Sequence, residues 1–291
     1  MTQNLRFGIG VPTATEGMMY PVPYAGIDQA IRIAVEAESL GYESVWGNDH
    51  ISTQSYVRRE FQQPPSYFDP LSYLSYLAAV TTTVRLATCV LVLPFRHPVL
   101  VAKQAATIDQ LSGGRFVLGI GVGAYREEFE AMWPKRALHR GGYVDESVEA
   151  IQLLLRERET SYSGNTVNFN NIESFPKAVQ DPLPILSGGN SQGARRRAGR
   201  FCNGWLPACL TPDEYRIGFA EIAREAELNS RTLNDFEKAI QVVVSVDSTH
   251  EAAVSRFESS QVHAHLHSLS SSTLKGKLDA GLEERNLVGR S

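Results

Sequence analysis

Cysteine is scarce. The 291 residues hold three, Cys89, Cys202 and Cys209, too few and too scattered for a disulfide framework or a paired-cysteine metal knuckle, which suits a reducing, cytoplasmic compartment. An excess of charge of one sign is also lacking. With 28 Lys and Arg against 32 Asp and Glu the net charge is −4, so nothing in the balance favours nucleic acid or an anionic membrane as a partner. No apolar run approaches the roughly 20 residues that span a bilayer, and no basic-then-apolar leader opens the chain. What remains is 43% hydrophobic and 21% charged, ordinary for a globular protein. No break in composition marks a linker, so one domain over residues 1–291 is expected.

Apolar runs and turn residues alternate along this chain. Residues 7–11, 42–46, 84–93, 115–120, 184–187, 204–207 and 239–246 read as strands. Between them lie helical spacings with their punctuation: Gly41 after the run from Ile27, Asp69-Pro70 before a helix through Ala79, Pro98 opening another that Gly113-Gly114 closes, and Thr211-Pro212 capping a late one. A longer amphipathic helix runs through Tyr143, Val144, Ser147, Val148, Ile151 and Leu154. The polar stretch 161–173 reads as a hairpin outside the core. Such βα alternation predicts a parallel sheet with helices outside it, either a closed (β/α) barrel or an open doubly wound sheet.

Two stretches carry the functional signal. The first runs from residue 84 through LATCVLVLPFRHP and a helix to SGGRFVLGIGVG; the second reads LPILSGGNSQGARRRAGRFCNGW. In the second a strand ends at Ser187-Gly188-Gly189-Asn190-Ser191 and a helix opens at once, which presents backbone N–H groups to an anion; a plain, well-capped turn reads the same way. Gly119, Gly121 and Gly123 follow a strand, but as GxGxG rather than the GxGxxG of a dinucleotide fold. They are read as a tight strand exit needing an unhindered backbone.

Asp49-His50 lies just past the second strand, at the end where a barrel carries its chemistry, and His50 is the candidate acid or base, or else a structural hydrogen-bonder. Glu127, Glu128 and Glu130 read as acidic residues favoured at a helix start, not as catalytic carboxylates. Arg195–Arg197 and Arg200 read as a solvated helix face, with salt bridges to neighbours as the alternative. The series His263, His265, His267 lacks acidic or cysteine ligands and reads as surface, so no metal is expected.

Taken together, AESLGYESVWGNDH, LATCVLVLPFRHP, DQLSGGRFVLGIGVGAYREEFEAM, RGGYVDESVEAIQLL and PLPILSGGNSQGARRRAGRFCNGWLPA resemble the luciferase-like monooxygenase superfamily, in its branch dependent on the deazaflavin coenzyme F420. The resemblance covers residues 7 to about 246. It implies an α/β fold, a (β/α)8 TIM barrel, with the cofactor ring at the strand ends. A non-prolyl cis peptide backing the ring is implied at Cys89-Val90, the family's Asp-His pair at Asp49 and His50, with Asp49 at the cofactor and His50 as acid/base or as a polar contact to the reacting centre, and the phosphate turn at Ser187, Gly188, Gly189, Asn190 and Ser191. Trp46, Phe95 and Tyr125 are candidate walls of a substrate pocket. The resemblance further implies hydride transfer with a small organic substrate, and a homodimer. Two residues depart from the family pattern. Val122 stands where luciferase-type relatives carry an arginine for the FMN phosphate, and Ala124 where sugar-phosphate dehydrogenases carry a catalytic glutamate. FMN-dependent monooxygenation is the alternative chemistry. The sequence stops soon after Asn286-Leu287-Val288-Gly289, where relatives continue through an eighth strand and a last helix, so either the chain is a shortened one or the barrel is left open by one strand. An open barrel without chemistry is the non-enzymatic alternative.

Overall fold

The structure, a computed structural model of the chain, describes residues 5–12, 25–60, 65–133, 139–260 and 263. In chain order they form β1 (Gly8–Val11), α1 (Ile27–Ser39), β2 (Ser44–Gly47), α2 (Ser55–Glu60), α3 (Pro70–Val80), β3 (Arg85–Thr88), β4 (Leu91–Val92), a 3-10 turn (Leu93–Phe95), α4 (Pro98–Ser112), β5 (Phe116–Gly121), α5 (Arg126–Met132), α6 (Arg140–Arg156), β6 (Glu159–Ser163), β7 (Asn168–Glu173), β8 (Ile185–Gly188), α7 (Gln192–Arg200), β9 (Gly204–Leu206), α8 (Pro212–Leu228), β10 (Glu237–Lys238) and α9 (His250–Glu258). The predicted punctuation acts where it stands. Asp69 accepts a hydrogen bond from the Ser72 amide at 2.8 Å and Pro70 opens α3. Gly113, in the left-handed region at φ 66°, closes α4. Thr211 and Glu214 form a reciprocal capping box on α8.

One parallel sheet runs in the order β1-β2-β3-β5-β8-β9-β10, with β4 paired to β5. The antiparallel pair β6-β7 stands apart from it, as the polar stretch predicts. The sheet is curled. From β3 to β10 is four strand steps, about 19 Å in a flat sheet, yet Arg85 on β3 donates to Glu237 on β10 at 2.9 and 3.1 Å. Farther up, the Cys89 thiol lies 3.4 Å from Gln241 Oε1. Only a sheet wrapped toward a barrel brings these strands face to face.

Side chains alternate accordingly. Leu86, Phe116, Leu118, Ile120 and Ile185 point outward and pack with helix residues such as Leu74, Val101, Ile108, Val144 and Ile151 in the main core. Ala87, Val117, Leu186 and Leu206 point inward, with Trp46, Cys89, Val90 and Ala239 against them.

Two strands differ from the sequence reading. The predicted strand 84–93 is broken at residues 89–90, where β3 leaves off pairing with β2 and β4 resumes beside β5. The last strand forms earlier than 239–246: Glu237 and Lys238 pair with Gly204 and Trp205, and the ladder continues only as a bridge between Ala208 and Gln241. Val242, Val244 and Val246 are exposed, so the β-branched run has no pairing strand among the described residues. The expectations placed on His265, His267 and the end of the barrel lie outside the described residues.

Candidate functional site

The strand exits gather the residues that the sequence analysis singles out. The peptide between Cys89 and Val90 is cis. The Val90 side chain sits between two glycines on neighbouring strands. A Cβ on Gly121 would lie 2.5 Å from Val90 Cγ2, and one on Gly188 would lie 2.4 Å from Val90 Cγ1. On the same inward row a Cβ at Gly119 would strike the Thr88 carbonyl at 2.0 Å, and one at Gly123 would meet Val92 Cγ1 at 2.8 Å. The GxGxG motif is therefore a strand feature. Its period of two puts every glycine under the broken third strand, and the rim there is carbon and backbone.

Asp49 is buried, and both its carboxylate oxygens are engaged within the protein. The Arg96 guanidinium donates to Oδ2 at 2.5 Å and to Oδ1 at 3.0 Å, and the Val92 amide donates to Oδ2 at 2.8 Å. Arg96 also reaches Asp69 at 2.6 Å. Burial works against the Arg96 charge, but the hydrogen bonds and charges of Asp49, then Asp69, outweigh it and raise the guanidinium above its ordinary value. Its carboxylate thus ties the exit of β2 to β4.

His50, next along, projects among Gln54, Tyr67, Tyr125 and Glu128. Its Nδ1 lies 3.0 Å from Glu128 Oε2 and 2.7 Å from Gln54 Nε2. Its ring centroid is 5.5 Å from those of both Tyr67 and Tyr125. The Tyr67 hydroxyl lies 2.8 Å from the other end of the Gln54 amide. Glu128 is only 2% exposed, and its other oxygen accepts from the amides of Ile51 at 2.9 Å and Ser52 at 3.3 Å. Glu127 accepts from the Ser55 amide at 2.7 Å, whereas Glu130 pairs with Arg126 in solvent. The acidic cluster is thus not one unit. Glu127 and Glu128 grip the loop that carries His50, a role the sequence reading missed because all three glutamates suit a helix start equally well. The one available signal is that Glu128 precedes Phe129 on the helix side turned away from Arg126 and Glu130.

At the far side of Val90 the turn 187–191 holds itself together with its side chains. Ser187, fully buried, donates to the Ala194 carbonyl at 2.9 Å; the Asn190 amide both donates to and accepts from the Ala208 backbone at 2.8 Å; Ser191 caps α7 by accepting from the Ala194 amide at 3.2 Å. These hydroxyls and this amide are therefore spent on the fold. The Gly189 N–H, at φ 103°, is itself spent on the Leu206 carbonyl at 3.0 Å, so what the turn offers a ligand is backbone from Asn190 into the first turn of α7.

The three proposed pocket walls are scattered. Tyr125 stands beside His50. Trp46 turns into the barrel interior, where its indole N–H donates to Ser44 at 2.8 Å and the ring covers Gly8. Phe95 is buried in the 3-10 turn after β4. Burial pushes the Cys89 thiol up to about 12, so it stays protonated. No cluster of metal-ligating side chains occurs among the described residues, and no described helix is long and apolar enough to cross a membrane.

Known proteins match this arrangement. An uncharacterised protein of Mycobacterium tuberculosis is 33% identical over 238 residues, 78% of this chain and 80% of its own length. An F420-dependent glucose-6-phosphate dehydrogenase of Kineococcus radiotolerans is 30% identical over 220 residues, 74% of this chain and 63% of its own. Among solved structures, an F420-dependent secondary alcohol dehydrogenase holding an F420–acetone adduct superposes with a TM-score of 0.73 at 18% identity, over 97% of this chain and 84% of that one. The FMN-bound oxygenating constituent of 3,6-diketocamphane monooxygenase from Pseudomonas putida gives 0.70 at 20% identity, over 92% and 74%. At such identities the structures speak for the fold alone, a barrel of the luciferase-like kind. The family model for luciferase-like monooxygenases spans residues 5–287, and the chain belongs to that family of oxidoreductases.

Proposed function

We propose that this protein is a deazaflavin-dependent oxidoreductase that moves a hydride between coenzyme F420 and a small organic substrate. The observation that carries the reading is the meeting of three features around Val90: the His50 loop, tied to β4 through Asp49; the glycine-lined bulge; and the N-terminus of α7, joined to Val90 through Gly188. A planar heterocycle with an anionic tail fits such a rim. Above the Arg85–Glu237 pair the inward surface is apolar, and a helix start is electrostatically suited to phosphate.

Bound there, the coenzyme would supply a carbon that gives or takes two electrons as hydride. Val90, Gly121 and Gly188 would floor the ring, and the backbone of residues 190–193 would receive the phosphate. His50 would hold the accompanying proton, accepting it from a substrate hydroxyl in oxidation and returning it to the carbonyl oxygen in reduction. Tyr125 would flank the substrate. Asp49 and Arg96 would fix the loop, and the barrel wall would orient the reactants and exclude water.

F420 dependence in the Kineococcus relative supports this choice of cofactor. FMN is the second reading, favoured by the FMN-bound Pseudomonas neighbour; Val122, in place of the phosphate-gripping arginine of luciferase-type relatives, speaks against it. Fluorescence titration of the purified protein with F420 and with FMN separates the two. Saturable F420 binding with weak or absent FMN binding is expected. Tight FMN binding without F420 binding would overturn the proposal.

A further inference from the structure

The environment of His50 makes opposite demands on one nitrogen. Nδ1 lies within hydrogen-bond distance of Glu128 Oε2, at 3.0 Å, and of Gln54 Nε2, at 2.7 Å. An ionised carboxylate only accepts, so its partner must be N–H; an amide nitrogen only donates, so its partner must be a lone pair. The surroundings of Glu128 decide between them. Its Oε1 receives the backbone N–H groups of Ile51 and Ser52, and the side chain is 2% exposed. With two backbone N–H donors on Oε1, Glu128 serves as the acceptor here, and a carboxylate can only accept at Oε2. A proton on Nδ1 then satisfies Glu128, and the Gln54 amide is turned so that its oxygen faces the ring and its nitrogen faces the Tyr67 hydroxyl. An amide has nearly the same shape either way round.

We infer that Glu128 is the positioning residue of this site. It fixes the His50 tautomer with the proton on Nδ1, makes Nε2 the nitrogen that gains and loses a proton, and stabilises the imidazolium formed when it gains one. The hydrogen bond of one ring nitrogen sets the basicity of the other, and a carboxylate at this distance favours the charged ring. The same carboxylate anchors the amides of residues 51 and 52, so His50 is aimed by its own neighbours. Among the described residues the other groups facing the ring are the side chains of Gln54, Tyr67 and Tyr125; the adjacent Asp49 is paired with Arg96. This inference rests on the reading of His50 as the proton carrier, and deepens it.

The test uses the whole chain without cofactor. Nitrogen-15 spectra of ring-labelled histidine, with the His50 signals assigned by their loss in His50→Asn, report tautomer and titration midpoint directly. In the wild type the neutral ring is expected to carry its proton on Nδ1. Glu128→Gln keeps an oxygen for the Ile51 and Ser52 amides but removes the charge, and is expected to lower the midpoint by about one to three pH units. An Nε2-protonated neutral ring in the wild type overturns the inference without any variant, and an unchanged midpoint and tautomer in Glu128→Gln overturns it as well. Failure of the F420 reading would appear elsewhere, as absent coenzyme binding by wild type whose His50 titrates as expected.

Discussion

Arg96 and Glu38 show how single side chains hold the frame on which the site depends. Arg96 neutralises a carboxylate that is 3% exposed, and its removal leaves that charge buried without a counter-charge, held only by the Val92 amide. Breaking a buried pair from one side costs about 3–5 kcal/mol, so Arg96→Ala is expected to lose that much stability in urea denaturation, and to lose coenzyme binding with it. Glu38, near the end of α1, accepts at one oxygen from the amides of Thr82, Thr83 and Val84 at 2.6–2.9 Å and from the Thr83 hydroxyl at 3.1 Å. Burial acts to raise its carboxyl, but these donors outweigh it and bring it from 4.5 down to about 2. The folded chain therefore binds fewer protons here than the unfolded chain between those values. The stability Glu38 contributes is present above about 4.5 and is lost as pH falls through about 2. Glu38→Ala is expected to cost about 1–3 kcal/mol at neutral pH. Denaturation curves of variant and wild type should converge as the pH approaches 2, and a gap independent of pH would exclude this role.

At the scale of elements, the broken third strand governs the rim. β3 and β4 are offset by Val90, and the neighbouring strands accommodate it by presenting glycine at 121 and 188. In Gly188→Ala a new Cβ would also come within 3.1 Å of the Ile120 carbonyl, so neither β5 nor Val90 can give way cheaply. A destabilisation of about 1–3 kcal/mol is expected from such overpacking, with a loss of coenzyme affinity measurable by the same fluorescence titration; wild-type affinity in this variant would remove Val90 from the floor of the site. Helix boundaries were readable from sequence because caps act within a few residues, as at Asp69-Pro70, Thr211-Pro212 and Gly113. The break at residues 89–90 was not legible in the apolar run 84–93 and came only from family resemblance. Nor could sequence alone show that Glu128, rather than Glu127 or Glu130, faces His50, since that pairing joins residues 78 apart.

For the molecule as a whole, curvature converts scattered strand ends into one mouth. Arg85 and Glu237 join opposite walls at the base, and the exits of β2, β3, β5 and β8 converge above them. The parallel alternation was legible in the sequence. The choice between open sheet and barrel was not, because it depends on contacts between strands far apart in the chain. The most direct test of the account is a crystal structure of the protein soaked with F420. The account predicts the ring against Val90, its phosphate at the N-terminus of α7, and the His50 ring facing its reactive edge. A ring bound away from Val90, or a phosphate held elsewhere, would contradict it.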